Sequence, residues 1–548
     1  MNKSGYYESD LEEATLEFFA ELEYEIHIAE SSYDDPFERT TFDEVLLSSR
    51  LKSALEKLNP KISSDIIDQA YREIAIPKQV ALIDNNLAFH KMLVDGIDIG
   101  YHDEHGQMKY QKMSIFDFEH PENNDFLAVN QFTVIENGVN KRPDVVVFVN
   151  GIPVVVIELK TISDDKVSID SAYNQIKNYQ TSIPSLFVYN AFNVLSDGLY
   201  AQAGTLTSKR DRYMAWRTID GDNIALIDEP QIETLIKGMF EKKRLLDLIK
   251  QFILFQKNDK DTIKILAGYH QYHAVNTALD RTFEATSAQG DRRIGVIWHT
   301  QGSGKSLSMV FYAGKMVISS ELNNPTILVI TDRNDLDDQL YQTFAKSESL
   351  LRSIPQQASS RTHLRELLNG RESGGIIFTT IQKFTPEDDQ DTKPLTNRTN
   401  VIVMADEAHR SQYGFSAKVI QTENEAFVRY GFAKYMRESL PNASYIGFTG
   451  TPIEHTDKNT RAVFGDYIDI YDMSRAVEDN TTVKVYYESR IAKLQLQMPE
   501  EDLNDKFDEI TEGQETSTSN ELMRKWSRLE KIVGSPARIQ MVAKDIID

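Results

Sequence analysis

Three charged residues stand in two neighbouring runs of β-branched residues. The second run passes from Val154–Ile157 into Glu158, Leu159 and Lys160, and Asp144 opens the first run. Side chains two apart on a strand share a face, so Glu158 and Lys160 point the same way. Asp144 and Glu158, with the Leu159 carbonyl, could hold Mg²⁺, while Lys160 orients a nucleophile or stabilises transition-state charge. This pattern predicts a metal-dependent hydrolase site for phosphodiesters.

The turn between the two runs decides whether the carboxylates meet. Asn150–Gly151 is a strong hairpin signal. A strict two-residue turn would pair Asp144 with Ile157 and turn Glu158 to the other face. A three-residue loop ending at Ile152, or a bulge next to the glycine, places Asp144 opposite Glu158 with Cβ atoms about 5 Å apart. We predict this second register. A surface hairpin that carries a Glu–Lys pair is the alternative.

A glycine-rich turn lies between a strand-like run and a helix start. Gly302, Ser303 and Gly304 allow backbone N–H groups to converge on phosphate oxygens. Lys305 can reach the β and γ phosphates, and the Ser306 hydroxyl can bind Mg²⁺. A histidine replaces the first glycine of the strict motif, so the turn fits the variant that ends G-x-G-K-[ST]. We predict a nucleotide site here; a tight turn with an incidental lysine is the alternative.

Further along the chain, an apolar run ends in Asp406, Glu407 and, after one alanine, His409. Asp406 could hold Mg²⁺ through water, and Glu407 could polarise the attacking water. An ordinary helix N-terminus, where acidic residues are favoured by the helix dipole, is the alternative.

A third run ends in Thr449, Gly450 and Thr451. The hydroxyls of the two threonines could sense the γ-phosphate through His409. In this order, the three motifs resemble the first motor domain of superfamily 2 helicases and translocases. We therefore expect ATP as the nucleotide.

That resemblance implies roles for three further residues. Gln271 stands where such motors read adenine, while Arg333 and Lys383 stand where they touch a nucleic-acid backbone. Taken singly, each is equally consistent with a solvated surface residue.

The first motif also resembles a family. The pattern PD…ELK resembles the PD-(D/E)xK nuclease superfamily. Downstream, Gln175 and Tyr179 lie four apart on one predicted helix face, which looks like the nuclease domains fused to DNA motors. Among the acids of the first helix, Glu12 and Glu13 could add a metal ligand.

The elements that must position these residues indicate an α/β protein. The N-terminal part opens with a helical pattern over 10–23 and predicts one mixed sheet. Its strand-like runs are QFTVIE, DVVVFVN, PVVVIEL and SLFVYNAF. The later part alternates apolar runs with helices, as parallel strands covered on both faces do. Its runs are RIGVIW, TILVITD, GIIFTTI, NVIVMADE and ASYIGFTG, with PQQASSR read as a loop.

We expect four segments along the chain. They are a nuclease domain over 1–225, a helical connector over 226–258, a first RecA-like ATPase domain over 259–475, and a linker with the start of an incomplete second motor domain over 476–548.

Composition sets limits on the class of protein. The 548 residues include 84 acidic and 60 basic ones, for a formal net charge of -24. Such a chain does not coat nucleic acid through bulk charge, and any DNA contact must use defined sites or a more basic partner. The absence of cysteine excludes disulfides and cysteine-bound metals. With neither a signal pattern nor an apolar run of membrane-spanning length, we expect a cytoplasmic protein.

Together, the two modules resemble the restriction subunit of prokaryotic type I restriction–modification systems. The resemblance implies double-stranded DNA as substrate, ATP and Mg²⁺ as cofactors, and methyltransferase and specificity subunits as partners, with S-adenosylmethionine used only through the methyltransferase. It also implies ATP-driven translocation followed by cleavage.

No second motor domain is evident, so we expect a fragment or truncated product that binds ATP weakly and does not translocate. Two rivals stay open: a motor whose nuclease-like domain only docks DNA, and a catalytically silent truncated subunit.

Overall fold

A computed structural model gives the fold of the chain. It describes residues 8–29, 36–102, 107–160, 169–226, 229–258, 261–331, 334–384, 393–408, 418–421, 426–429, 432–451, 458–484 and 536–547. The chain forms two compact units, Met1–Thr482 and Val483–Asp548. In the second unit the described element is one helix, Pro536–Ile547.

The N-terminal part of the first unit is built on a mixed sheet. Its helices are α1 (Glu8–Glu21), α2 (Ser48–Leu58), α3 (Ser64–Ala75), α4 (Leu82–Asp95), α5 (Ile169–Ser182) and α6 (Pro184–Phe187). Its strands are β1 (Glu25–His27), β2 (Ile97–His102), β3 (Met108–Met113), β4 (Phe126–Asn130), β5 (Val134–Glu136), β6 (Val139–Lys141), β7 (Val145–Val149), β8 (Ile152–Leu159), β9 (Phe192–Ser196), β10 (Ala201–Gly204) and β11 (Met214–Ala215). Seven strands pair in the order β1-β4-β7-β8-β9-β10-β11, while β2–β3 and β5–β6 form separate hairpins.

Strands β7 and β8 lie in the middle of this sheet and are buried along their whole length. A strand covered on both faces reads as a continuous apolar run, which explains the valines on either side of the turn. Glu158 is therefore a carboxylate in the interior of the protein, with 1% of its surface exposed.

The connector is partly as predicted. Two helices, α7 (Gln231–Met239) and α8 (Lys242–Gln251), are followed by a hairpin of β12 (Ile253–Lys257) and β13 (Thr262–Leu266). The interpretation of the stretch after Gln251 as helix was wrong. Its branched and aromatic residues pair with β13, and this pairing decides the structure of a short apolar run that fits either element.

The second sheet is parallel throughout. Its part of the chain contains α9 (Tyr269–Thr286), β14 (Arg293–His299), α10 (Lys305–Ile318), β15 (Thr326–Thr331), α11 (Asn334–Ala345), α12 (Glu348–Leu351), β16 (Gln356–Gln357), α13 (Arg361–Asn369), β17 (Ile376–Thr380), β18 (Val401–Ala405), β19 (Lys418–Gln421), β20 (Ala426–Arg429), α14 (Phe432–Ser439), β21 (Ser444–Thr449), α15 (Lys458–Phe464), β22 (Tyr467–Tyr471) and α16 (Met473–Glu478). The order is β16-β17-β15-β18-β21-β14-β22, with β19–β20 as a separate hairpin. The α/β fold class is confirmed.

Two further predictions about strands are corrected. SLFVYNAF is a helix, α6, followed by the start of β9, because Pro184 at the first helical position favours a helix start. PQQASSR is not wholly a loop, since it contains β16, which pairs with β17.

One hydrophobic core spans both sheets. Its members run from Leu16 to Ala476 and include residues of β7, β8, β14 and β15. The opposite face of the parallel sheet packs against a second, smaller core. Both sheets belong to the first unit, and the four-segment division stays a prediction. Among the described residues, no helix has the length and apolarity needed to span a membrane.

Candidate active sites

The hairpin of β7 and β8 has the predicted register. Asn150 and Gly151, with φ of 51° and 74°, form a two-residue turn. The register then shifts by one residue, with Val154 as the extra residue, so that Val145 pairs with Ile157. This pairing sets Asp144 opposite Glu158. The β-bulge that produces the shift lies beyond the turn, whereas we had expected it next to the glycine.

Lys160 brings the acidic side chains together. Its Nζ donates to Glu158 Oε1, to Glu8 Oε1 and to the Leu159 carbonyl, each at 2.7 Å. It lies 3.8 Å from Asp144 Oδ2, which in turn accepts from the Leu159 backbone N–H at 2.7 Å. The three residues predicted from the sequence therefore form one cluster.

Burial controls the protonation of this cluster. Burial raises the pKa of Asp144 to about 6, although Lys160 and the Leu159 N–H oppose the shift. Burial, with repulsion from Asp144, raises the pKa of Glu158 to about 8. Burial alone would lower the pKa of Lys160, but the neighbouring carboxylates more than offset it and the pKa is raised. Lys160 is thus a stable cation between two carboxyl groups that readily hold protons.

Helix α5 adds the predicted glutamine and tyrosine. Tyr179 is buried, its hydroxyl lies 3.4 Å from the Arg142 carbonyl, and its side chain interacts with Gln175 and Glu158. Burial, together with the Glu158 carboxylate, raises the pKa of Tyr179, which keeps the phenol protonated. The Q-x-x-x-Y pair thus contacts the carboxylate cluster.

Sequence reasoning missed two residues at this site. Glu8 binds Lys160, and Gln131 Nε2 donates to Glu12 Oε1 at 2.7 Å and to Asp144 Oδ1 at 3.4 Å. Glu13 is exposed on another face of α1. The signal that could have found Glu8 is its spacing of four from Glu12, which places both on one helix face. Gln131 carried no signal.

The residues present suit a divalent cation. Glu158 Oε2 is buried and has no hydrogen-bond partner among the described residues. An orphaned buried carboxylate oxygen is costly unless a proton or a cation satisfies it. Oxygen donors of this kind are those that Mg²⁺ prefers. The described part of the chain holds no group of three or more His, Cys, Asp or Glu side chains arranged for a metal.

The second cluster forms where β14 passes into α10. Gly302 and Gly304 have φ of 89° and 84°, a conformation that glycine adopts at no steric cost. Gly304 is the residue before α10, and Lys305 opens the helix. The N–H groups at a helix N-terminus are suited to bind an anion.

Lys305 reaches across the sheet to the end of β18. Its Nζ lies 2.7 Å from Asp406 Oδ1 and 2.5 Å from Glu407 Oε1. Burial would lower the pKa of Lys305, but the two carboxylates more than offset it, so the pKa is raised. Glu407 has a φ of 50°, and strained backbone of this kind often marks functional residues.

Gln271 contacts the same turn. Its Oε1 accepts from the Gly268 N–H at 2.9 Å, and its Nε2 donates to the Gly304 carbonyl at 3.0 Å. Gln271 thus lies beside the glycine-rich turn Gly302–Gly304, which is called the phosphate loop below. Its role toward adenine stays a prediction.

The end of β21 also borders this loop. Thr449 Oγ1 donates to the Thr451 carbonyl at 2.9 Å, and Gly450 is so close to Gln301 that an added Cβ would lie 3.1 Å from its side chain. Ser303 and Ser306 stand at the turn and in the first turn of α10.

The structure places one further predicted residue outside both clusters, and two others cannot be placed. His409 and Arg333 lie outside the described residues. Lys383 is half-buried, and its Nζ donates to the Ala358 carbonyl at 2.5 Å. The ammonium group has two further donor hydrogens, and the role of Lys383 toward DNA stays a prediction.

Comparison with known proteins gives the family. Residues 5–212 match the family described as "Type I restriction enzyme R protein N terminus", and residues 270–520 match "SWI2/SNF2 ATPase". The chain therefore contains two successive regions, one like the N terminus of a restriction-enzyme R protein and one like an ATPase domain. It belongs to the R proteins of type I restriction enzymes.

Several relatives support this assignment. The chain is 41% identical to the type I restriction enzyme HindI endonuclease subunit of Haemophilus influenzae, over 98% of this chain and 51% of that protein. It is 35% identical to a Methanocaldococcus jannaschii protein provisionally named the type I restriction enzyme MjaIXP endonuclease subunit, over 93% of this chain and 49% of that protein. The chain spans about half the length of these relatives.

Among solved structures, a fragment provisionally assigned as the HsdR subunit of a type I restriction enzyme from Vibrio vulnificus matches with a TM-score of 0.26. The match has 17% identity and covers 64% of this chain and 56% of that one.

Proposed function

We propose that this chain supplies the DNA-cleaving site and the ATP-binding half-site of a type I restriction enzyme. One observation carries the proposal: two separate lysine–carboxylate centres, at Lys160 and at Lys305, occur in one compact unit. The first has the chemistry of phosphodiester hydrolysis and the second that of nucleotide hydrolysis. Family membership and the names of the relatives support this assignment.

In the cleavage site, Asp144 and Glu158 would hold a divalent metal ion. When bound, such an ion polarises a phosphate oxygen and lowers the pKa of water. Lys160 Nζ, already 2.7 Å from Glu158 Oε1, keeps a positive charge beside the position of the scissile phosphate. That charge is worth most where it stabilises the additional negative charge of the transition state. Tyr179 keeps the Glu158 carboxyl group in place.

In the ATP site, the backbone N–H groups around Gly304 would bind the phosphates. Lys305 would exchange its contacts with Asp406 and Glu407 for the β and γ phosphates. Asp406 would then be available for Mg²⁺, with Ser306, and Glu407 would orient the attacking water. In this scheme the ion pairs of Lys305 hold the side chain in place until the nucleotide arrives.

We further propose that double-stranded DNA is the substrate and that modification and specificity subunits are the partners. With a net charge of -24, this chain has little electrostatic attraction for DNA of its own. Subunits that recognise the target would supply the missing affinity.

Two measurements test the proposal. Lys305→Ala should weaken ATP binding by about a hundredfold, since the lysine carries the charge that meets the phosphates. Asp144→Asn and Lys160→Ala should abolish Mg²⁺-dependent cleavage of DNA by the complex with its modification and specificity subunits, while ATP binding stays at the wild-type level. Cleavage that survives Asp144→Asn would overturn the nuclease assignment in favour of a DNA-docking role.

A further inference from the structure

A buried carboxylate next to the nucleotide site joins three separate segments of the chain. The Asp479 side chain is 2% exposed. Its Oδ2 accepts from the hydroxyls of Tyr269 and Tyr471, both at 2.7 Å, and its Oδ1 accepts from Arg217 Nη1 at 2.8 Å. These four residues are called the Asp479 cluster below. A buried carboxylate that receives three donors is fixed far more firmly than one at the surface.

Two members of the cluster lead directly to the phosphate loop. Tyr269 opens α9, two residues before Gln271, which donates to the Gly304 carbonyl. Between them, His270 stacks on the ring of Tyr471 at a centroid distance of 3.9 Å, and its Nε2 lies 3.0 Å from the Ser303 carbonyl. The three residues that begin α9 are thus held either by the Asp479 cluster or by the loop itself.

The tyrosines can act only as donors toward Asp479. Burial, reinforced by the negative charge of Asp479, raises the pKa of both Tyr269 and Tyr471. Their hydroxyls therefore stay protonated across the physiological pH range, so both tyrosines donate to the Asp479 carboxylate.

The other two members, Arg217 and Asp479, lie far apart along the chain. Arg217 follows β11, and its Nη2 also donates to the Ala225 carbonyl at 2.9 Å. Asp479 follows α16, three residues before Thr482, whose Oγ1 would lie 3.6 Å from a Cβ added at Gly302. The cluster therefore connects the N-terminal sheet, the start of α9 and the last residues of the first unit, all beside the phosphate loop.

We propose that Asp479 is a positioning residue for base discrimination: by holding Tyr269 and Tyr471, it fixes the start of α9 so that Gln271 meets the adenine ring. The proposal rests on the nucleotide site proposed above and on the adenine-reading role expected for Gln271. Asp479 does not contact the nucleotide in this scheme. Its influence is on which base is accepted, because the phosphates are bound by the loop and Lys305.

Asp479→Asn tests the idea with little change in volume. An amide offers two donor hydrogens where the carboxylate offered only acceptors, so one of the three partners must face a donor. We expect the affinity for ATP to fall about five- to twentyfold, and the affinity for CTP to change less than about twofold. Both are measured by titration of the full chain with Mg²⁺ and the nucleotide.

Glu478→Gln is the matched control. Glu478 Oε2 also accepts from Arg217 Nη1, at 3.0 Å, but its side chain is 48% exposed. We expect it to leave both affinities within about twofold of the wild type. Tyr471→Phe is a second test that perturbs the fold less. It keeps the ring that stacks on His270 and removes one hydrogen-bond donor to Asp479. It should shift ATP affinity in the same direction as Asp479→Asn, by a smaller factor.

The outcomes separate the inference from the proposed function. Equal losses of ATP and CTP affinity in Asp479→Asn, or no loss of either, would overturn the positioning role. Lys305→Ala should lower both affinities alike; if it lowers neither, the nucleotide site itself is wrong. Loss in Lys305→Ala, with wild-type discrimination in both Asp479→Asn and Tyr471→Phe, rejects only the inference.

Discussion

At the scale of single residues, the carboxylate cluster around Lys160 is held in an electrostatically costly state. Asp144 and Glu158 are both buried, and one oxygen of Glu158 has no hydrogen-bond partner among the described residues. Their pKa values of about 6 and about 8 are raised chiefly by burial. A divalent cation would relieve this cost, and it would have to displace protons to do so.

We therefore expect metal binding at this site to be strongly dependent on pH. Between pH 6 and 8 the two carboxyl groups lose protons, so affinity for Mn²⁺, used as a probe without ATP, should rise by about tenfold per pH unit where one proton is released. Calorimetric titration at pH 6, 7 and 8 measures this. Asp144→Asn should flatten the pH profile of metal affinity. Glu13→Gln, which changes an exposed acidic residue of α1, should leave the profile unchanged. Affinity independent of pH would contradict the prediction.

The sequence predicted the residues of each cluster that lie near each other along the chain or follow a known motif. Glu158 and Lys160 share a strand face by spacing alone, and Lys305 is placed by its glycine turn. Glu8 could not be placed, because its contact with Lys160 joins residues 152 positions apart through the packing of α1. Lys383 was proposed from its position in the motor resemblance; its Nζ donates to the Ala358 carbonyl, and its contact with DNA stays a prediction.

At the scale of secondary structure, the Asn150–Gly151 turn and the bulge at Val154 together determine where the carboxylates lie. Gly151 has a φ of 74°, and a Cβ there would lie 2.6 Å from the Leu47 carbonyl oxygen. The hairpin between β5 and β6 has the same Asn-Gly turn, with Gly138 at a φ of 76° and no heavy atom of the described residues within 4 Å of an added Cβ. A substitution at Gly138 therefore causes backbone strain alone, whereas one at Gly151 causes backbone strain and steric overlap.

Gly138→Ala should destabilise the fold by about 1–2 kcal/mol, the cost of a left-handed conformation with a side chain. Gly151→Ala should cost a further 1–3 kcal/mol or so, because the new methyl group overpacks against α2. Urea unfolding of the two variants and the wild type, monitored by circular dichroism, gives the difference. Equal losses would show that Leu47 moves away freely.

Where predictions of elements failed, long-range pairing decided the outcome. The run Ile253–Lys257 fits a helix as well as a strand by composition, and only its partner, β13, selects the strand. The run before β9 is the exception, since a local residue decided it: the run contains strand-forming residues, but Pro184 at the first helical position favours a helix there. The long strands of both sheets were predictable because their apolar runs match strands buried on both faces.

At the scale of the whole molecule, a buried lysine joins the β12–β13 hairpin to the N-terminal part of the chain. Lys264, on β13, is 2% exposed, and its Nζ donates to Asn86 Oδ1 at 2.8 Å and to the Asn190 carbonyl at 2.6 Å. Burial lowers the pKa of Lys264 well below its usual value. Burial also lowers the pKa of His90 to about 3. The hairpin is thus attached to the N-terminal part of the chain by a buried amine whose proton is bound less firmly than that of an exposed lysine.

This buried lysine should give stability a distinct pH dependence. Because burial lowers the pKa of Lys264 in the folded chain below its usual value of about 10.4, the unfolded chain holds more protons between the two pKa values. The free energy of unfolding therefore rises with pH in that window, by up to about 1.4 kcal/mol per unit. Lys264→Met removes this contribution, and the stability difference between wild type and variant should change with that slope. Lys257→Met, at an exposed lysine of the same hairpin, is the control. Parallel pH profiles for all three proteins would show that the pKa of Lys264 is not lowered in the fold.

The shared core from Leu16 to Ala476 also limits how such genes can recombine. A crossover inside this span would join two halves of one core whose side chains had diverged separately, so the hybrid would carry cavities and clashes at many positions at once. A crossover near the boundary between Thr482 and Val483 would leave that core intact. R proteins that arise by such exchange should therefore inherit the Lys160 cluster and the glycine-rich loop before Lys305 as a single block.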